Sequence, residues 1–239
     1  MDSRWYKRAL GLGEPFATKC RPVLLFGLIA FGIYRLTLPM IQDMFSSSNQ
    51  VNYWTLINYG PSALLLLAMF FVHKRCCHPD IRFVGKVSAK LVLQGVLAVT
   101  ALYLISYATA LWLGQPREPT MIWLYFFKTP MQNAVMLISL LILPPIVEEL
   151  TFRHFLLSIL PFKKNAWIAA IAIIATATFF AVQHSHYKYL TTYLLLFAVG
   201  VVLAQMRIRS NGMALPIGLH AYAVAFALVC DQVVMRFET

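Results

Sequence analysis

Seven predominantly apolar runs, each about 18 residues or longer, constrain this chain more than any other feature. They cover residues 22–41, 53–72, 91–113, 131–160, 166–184, 189–206 and 213–234. Each run is continuous rather than alternating, so it reads as a membrane-spanning helix and not as a barrel strand. Composition agrees: 60% of the 239 residues are hydrophobic, 12% are charged, and mean hydropathy is +0.69. Soluble domains hold about 45–50% apolar and about 25% charged residues. The expected fold is all-α, a polytopic membrane helix bundle with about seven transmembrane helices. Neither a soluble domain nor an internal repeat is visible. Residues 1–130 supply N-terminal transmembrane helices and residues 131–234 a C-terminal core, in one continuous membrane domain.

The net charge of +11 does not point to nucleic acid, because the basic residues sit mostly in short segments between apolar runs. Residues 1–21 carry Arg4, Lys7, Arg8, Lys19 and Arg21 and read as a cytoplasmic lead before an uncleaved first helix. Arg35 interrupts that helix and must snorkel or face a neighbour. The segment from His73 to Lys90 is again basic and the segment 42–52 has no Lys or Arg, so the N-terminus is placed inside. Gly60-Pro61 marks an expected kink in the second span, and residues 121–127 an aromatic interfacial segment. The expected location is the cell (inner) membrane. Cys20, Cys76, Cys77 and Cys230 form no metal-spaced pair and read as structurally incidental, with a juxtamembrane site suited to reversible lipidation.

The fourth run contains Pro144-Pro145-Ile146-Val147-Glu148-Glu149-Leu150-Thr151-Phe152-Arg153-His154. Ionisable groups at membrane depth are expensive and mark functional sites by default. On a helix Glu149 and Arg153 share a face, with the acid N-terminal to the base, whereas Glu148 is turned about 100° away. Arg153 can neutralise one carboxylate and leave the other as a candidate general base. The competing reading is an interhelical ion cluster that serves only folding. His154 reads as a partner in a structural hydrogen bond.

Two more histidines lie in apolar surroundings. Phe180 and His184 end the fifth run one turn apart on one face, and His220 lies inside the seventh. A carboxylate with two imidazoles has two natural uses. It is the His2Glu ligand set of a catalytic zinc, although no HExxH spacing is present. Alternatively the glutamate takes a proton from water while the imidazoles steady the oxyanion and serve the leaving group. Both amount to hydrolysis of an acyl bond within the membrane.

Glu148-Glu149-x-x-x-Arg153, Phe180-x-x-x-His184 and the later His220 resemble, in order and spacing, the three motifs of the CPBP family, also called Abi. This family takes in CAAX-type prenyl endopeptidases and bacteriocin-processing or self-immunity proteins. The similarity spans roughly residues 131–234 and implies a CPBP-like catalytic core. The resemblance implies that Glu148 activates water, that His184 works with it, and that His220 contributes to oxyanion stabilisation, with Glu149 and Arg153 completing the site. It requires no cofactor; should zinc be bound, Glu148, His184 and His220 are its expected ligands. The expected partners are a peptide or lipidated-protein substrate and the lipid bilayer.

One position departs from the family pattern. Val224 stands one turn after His220, where the family usually has Asn or Asp. The alternative function is therefore a non-catalytic membrane immunity or regulatory protein of the same fold. A proton-coupled transporter is a third class, weakened by the lack of a repeat. Asp231 lies about 16 Å from His220 along the helix, too far to replace the missing group. Depth leaves a puzzle: from the Lys163-Lys164 turn Glu148 lies about 24 Å and His184 about 30 Å away, but His220 lies only about 15 Å from the turn at residues 207–212 on the same side. Either the fourth and fifth helices project, or a boundary is misplaced.

Overall fold

The computed structural model describes residues 16–76, 81–124 and 128–236, with the side chains of residues 16–22 and Cys76 left undescribed. Most of the basic lead, Cys77 and the end of the aromatic segment 121–127 lie outside the described residues. Seven long helices follow: α1 (Phe16–Ile41), α2 (Trp54–Cys76), α3 (Ala89–Trp112), α4 (Pro130–Glu148), α5 (Ala166–Gln183), α6 (Leu190–Ser210) and α7 (Ala214–Met235). Among the described residues seven helices are long and apolar enough to cross a membrane, and the chain is a multi-pass membrane protein. Many large apolar side chains, such as Leu64, Ile105 and Trp167, face outward, as a bilayer rather than water requires.

Helix α4 shows how local sequence sets the architecture. Thr129 and Gln132 close a reciprocal capping box ahead of it, and Pro130 occupies its first turn, where no N–H is needed. Inside the helix, Pro144 and Pro145 remove two backbone donors. The N–H of Glu149 is then shared between the carbonyls of Pro145 and Ile146. Beyond it the chain widens into a π-helix at Glu149–Leu156 and tightens into a 3-10 turn at Leu157–Ile159. The regular α-helix expected through Arg153 is thus replaced by a wider coil, an arrangement found mostly at functional sites.

The connections on each membrane side are bonded to one another. Arg82 pairs in parallel with Gly212, the N–H of Lys86 reaches Ser210 O at 2.6 Å, and Met213 N–H reaches Phe83 O at 2.7 Å. The α2–α3 and α6–α7 connections therefore share one side. Gly85 has φ +72°, and a Cβ there would come within 2.5 Å of Ser210 O, so only glycine fits. On the opposite side Glu118 accepts from the backbone N–H of Lys188 and Tyr189 and from the Thr192 hydroxyl, and Thr120 donates to His186 O.

Ring contacts join the π segment that follows α4 to the start of α7. His154 packs on Phe70, Phe70 packs on Phe83, and Phe83 holds the start of α7. His154 is therefore level with Met213, and α4 continues past that level to Ile159 before the Lys163-Lys164 turn. His73, read from sequence as part of a basic loop, lies instead in α2 and is fully buried.

Candidate functional site

The structure brings Glu148, Glu149, Arg153, His184 and His220 together between α4, its π segment, α5 and α7. Glu148 is 2% exposed, and Glu149 and Arg153 are 0% exposed. Arg153 Nη1 lies 3.0 Å from Glu149 Oε1, the i,i+4 pair expected from the spacing. Its guanidinium also sits over the ring of Phe180, 4.2 Å from the centroid. The phenylalanine one turn before His184 is therefore a cation–π platform for the arginine. Gly200 of α6 completes the enclosure: its Cβ position is 3.3 Å from Arg153 Nη2 and 3.2 Å from the backbone of Ala177.

Arg153 leaves Glu148 without a cation. Glu148 Oε1 accepts instead from the Tyr59 hydroxyl at 3.2 Å. Its other oxygen, Oε2, is buried without a hydrogen-bond partner among the described residues. That oxygen is 3.7 Å from His184 Nε2 and 3.7 Å from His220 Nε2. The ring of His220 spans the divergence between the adjacent carboxylates, because its Nδ1 lies 2.9 Å from Glu149 Oε1.

Hydrogen bonding fixes which nitrogen of each imidazole faces Glu148 as a lone pair. His184 Nδ1 is 2.8 Å from the carbonyl oxygen of Phe180, which can only accept, so Nδ1 carries the proton. Glu149 is paired with Arg153 and also accepts, so His220 Nδ1 carries its proton too. In their neutral forms both imidazoles then turn an Nε2 lone pair toward a carboxylate oxygen. Three acceptors around one point attract a proton donor such as water. Glu148, His184 and His220 were the expected zinc ligands. Their donor chemistry suits zinc, but among the described residues no group of three or more His, Cys, Asp or Glu is gathered so as to hold a metal ion.

Behind His184, the Tyr187 ring stacks on its imidazole at 6.1 Å and an interplanar angle of 13°. Burial, and after it the nearby Glu148 and Glu118 carboxylates, push the Tyr187 phenol up to about 12, so it stays a neutral proton donor. Tyr187 also borders a cavity of about 110 Å³ between α3, α6 and α7, with Tyr103, Tyr107, Leu195 and Ala227 among its walls. At the edge of that cavity Asp231 takes a bidentate pair from Arg117 at 2.9 and 2.6 Å, so it is engaged away from His220. Val224 is half-buried on α7.

His154 makes the structural hydrogen bond expected of it, with its Nε2 2.9 Å from His73 Nδ1 amid the rings of Phe26, Phe70 and Phe155. Sequence reasoning missed Tyr59 as a partner of Glu148. Its only signal was the polar sequence Asn58-Tyr59 beside Gly60-Pro61 within an apolar run.

The chain is 32% identical over 176 residues to a protein of Escherichia coli named "Uncharacterized 24.3 kDa protein", a stretch covering 72% of this chain and 78% of that one. No solved structure matches the chain. The family Type II CAAX prenyl endopeptidase Rce1-like matches residues 130–226, the stretch that carries Glu148, Glu149, Arg153, His184 and His220. With this family match and a relative of this extent, the chain belongs to the Rce1-like, CPBP family of CAAX-protease-type membrane proteins.

Proposed function

We propose that the chain is an intramembrane endopeptidase that hydrolyses a membrane-associated or exported peptide, either a lipidated CAAX-type tail or a leader peptide, in the inner membrane. The observation that carries this reading is the convergence of two imidazole Nε2 atoms on Glu148 Oε2, each at 3.7 Å. A water held among them gives a proton to Glu148 as its oxygen attacks the substrate carbonyl. His220, after taking a proton from solvent at its Nε2 lone pair, donates to the resulting oxyanion, and the Glu149 carboxylate behind its Nδ1 stabilises that imidazolium. Glu148 then returns the proton to the leaving amine, so the products are a carboxylate and an amine. The low dielectric around side chains almost closed to solvent strengthens each of these interactions.

The scheme requires no cofactor. If zinc is bound, Glu148, His184 and His220 are the residues to hold it, and the metal would supply Lewis acidity and an activated water. Partners are then a peptide or lipidated-protein substrate and the bilayer, with no nucleic acid. The test is incubation of purified wild type, Glu148→Gln and His184→Ala with prenylated and leader peptides, with and without chelator, read by mass spectrometry. Products from wild type alone are expected. Equal cleavage by Glu148→Gln would refute the assignment.

Val224 favours one second reading, a non-catalytic immunity or regulatory protein that binds a peptide or protein partner. That reading expects no cleavage by wild type, with cellular function surviving Glu148→Gln. Val224→Asn separates the two: a gain in cleavage rate marks an enzyme short of one oxyanion donor.

A further inference from the structure

Among the described residues Arg207 is the second of two arginines sealed inside the protein. It is 1% exposed, and its Nε and Nη2 atoms are buried without a hydrogen-bond partner. Arg153 has Glu149 and the face of Phe180. Arg207 has neither a carboxylate nor an aromatic face among the described residues. A guanidinium does not shed its proton, so the charge stays. Its place in the last turn of α6 lets the helix dipole offset part of the cost, because cations are favoured there. That effect is small beside the penalty for an unpaired buried charge.

Among the described residues the counter-anion has no source. The described acidic residues are Asp43, Glu118, Glu148, Glu149 and Asp231, and none of them is within ion-pair distance of Arg207. Asp43 lies in the α1–α2 connection and Glu118 and Asp231 at the opposite membrane side, while Glu148 and Glu149 belong to the candidate site. Gly200 touches Ala177 at 3.2 Å where α5 and α6 pack antiparallel. Arg207 lies two turns beyond Gly200 on the same face of α6, so it is roughly level with the first turn of α5. That end of α5 presents backbone N–H groups, follows Lys163 and Lys164, and is capped by Asn165. A buried unpaired guanidinium, a helix N-terminus and two exposed lysines are together the elements of an anion site at headgroup depth.

We propose that Arg207 is the floor of a phosphate-binding site on the basic side of the bundle, occupied by the phosphate of an anionic lipid headgroup or by free phosphate. The occupant supplies the negative charge that the described residues lack there. This site is independent of the peptidase reading and of the Glu148 centre.

The test measures heat unfolding of the full chain in nanodiscs by tryptophan fluorescence, for wild type, Arg207→Met and Arg207→Lys. Three conditions are compared: phosphatidylcholine alone, phosphatidylcholine with phosphatidylglycerol, and phosphatidylcholine with inorganic phosphate in the buffer. In phosphatidylcholine alone, Arg207→Met is expected to melt at or above wild type, because it removes an uncompensated charge. An anionic condition is expected to raise the midpoint of wild type and, less, of Arg207→Lys, and to leave Arg207→Met unmoved. Phosphatidylglycerol acting alone assigns the lipid headgroup, and equal action of inorganic phosphate assigns the free anion. Native mass spectrometry provides a second readout, in which retention of phosphatidylglycerol by wild type should exceed that by Arg207→Met about tenfold. Wild type indifferent to both phosphate sources overturns the proposal. So does an Arg207→Met deficit of equal size in all three conditions, which marks a purely structural arginine. If Arg207→Met does not fold, the response of wild type and its graded loss in Arg207→Lys decide the question.

Discussion

At the scale of single residues, the candidate site divides its two carboxylates by what stands beside each. Glu149 is tied to Arg153 and to His220 Nδ1, whereas Glu148 receives only the Tyr59 hydroxyl and faces two imidazole Nε2 atoms. Glu148→Gln keeps the shape and removes the base. It is expected to lower peptide cleavage by about 10²–10⁴-fold while leaving the melting temperature within a few degrees, measured by product formation and heat unfolding of the same preparation. Tyr59→Phe removes a hydrogen bond to the Glu148 carboxylate and is expected to cost about tenfold to about a hundredfold in the same assay. Arg153→Met acts on folding, because it leaves Glu149 buried without its cation. The expected loss is about 3–5 kcal/mol, recovered in part by the double variant Glu149→Gln/Arg153→Met. Denaturation of the single and double variants in detergent checks this, and strict additivity of the two single losses would show that the pair is not coupled.

At the scale of elements, the outlines of the helices were legible in the sequence because continuous apolar runs leave few alternatives in a bilayer. The Glu149–Arg153 contact was legible too, since four-residue spacing brings side chains together whether the turn is α or modestly wider. The π segment was not. A widened turn leaves no periodic signature in so short a stretch, and Pro144-Pro145 could equally have announced a kink. Nor was the burial of His73, because a histidine followed by Lys74 and Arg75 looks like the start of a loop until His154 supplies its partner. The bonded connections at one end of the bundle offer an element-scale test. Gly85 carries positive φ and lies against the backbone of residues 210 and 212. Gly85→Ala is expected to destabilise by more than about 1 kcal/mol, since strain and close approach add to each other. Unchanged heat unfolding would mean that this junction does not hold α3 and α7 in place.

At the scale of the whole molecule, the contacts and the charges assign sides independently. Lys86 bonds to Ser210 across the α2–α3 and α6–α7 connections, which puts an even number of spans between them. Glu118 ties the segment after α3 to the start of α6 on the other side. The first side carries Lys74, Arg75, Arg82, Lys86, Lys90, Lys163, Lys164, Arg207 and Arg209, and the second only Arg117, Lys128, Lys188 and Arg236 among the described residues of the connections and helix ends. The positive-inside rule then places the first side in the cytoplasm. Single cysteines introduced after replacement of Cys20, Cys76, Cys77 and Cys230 by serine test this directly. Ser48→Cys and Lys188→Cys, both at exposed positions, should react with a membrane-impermeant thiol reagent in sealed right-side-out vesicles. Lys86→Cys and Lys163→Cys, also exposed, should react only after permeabilisation. The reverse pattern would invert the protein and put the Arg207 region in the outer leaflet. A mixed pattern, with Lys86 and Lys163 on different sides, would break the seven-span order, because α3 and α4 together must return the chain to the side it left.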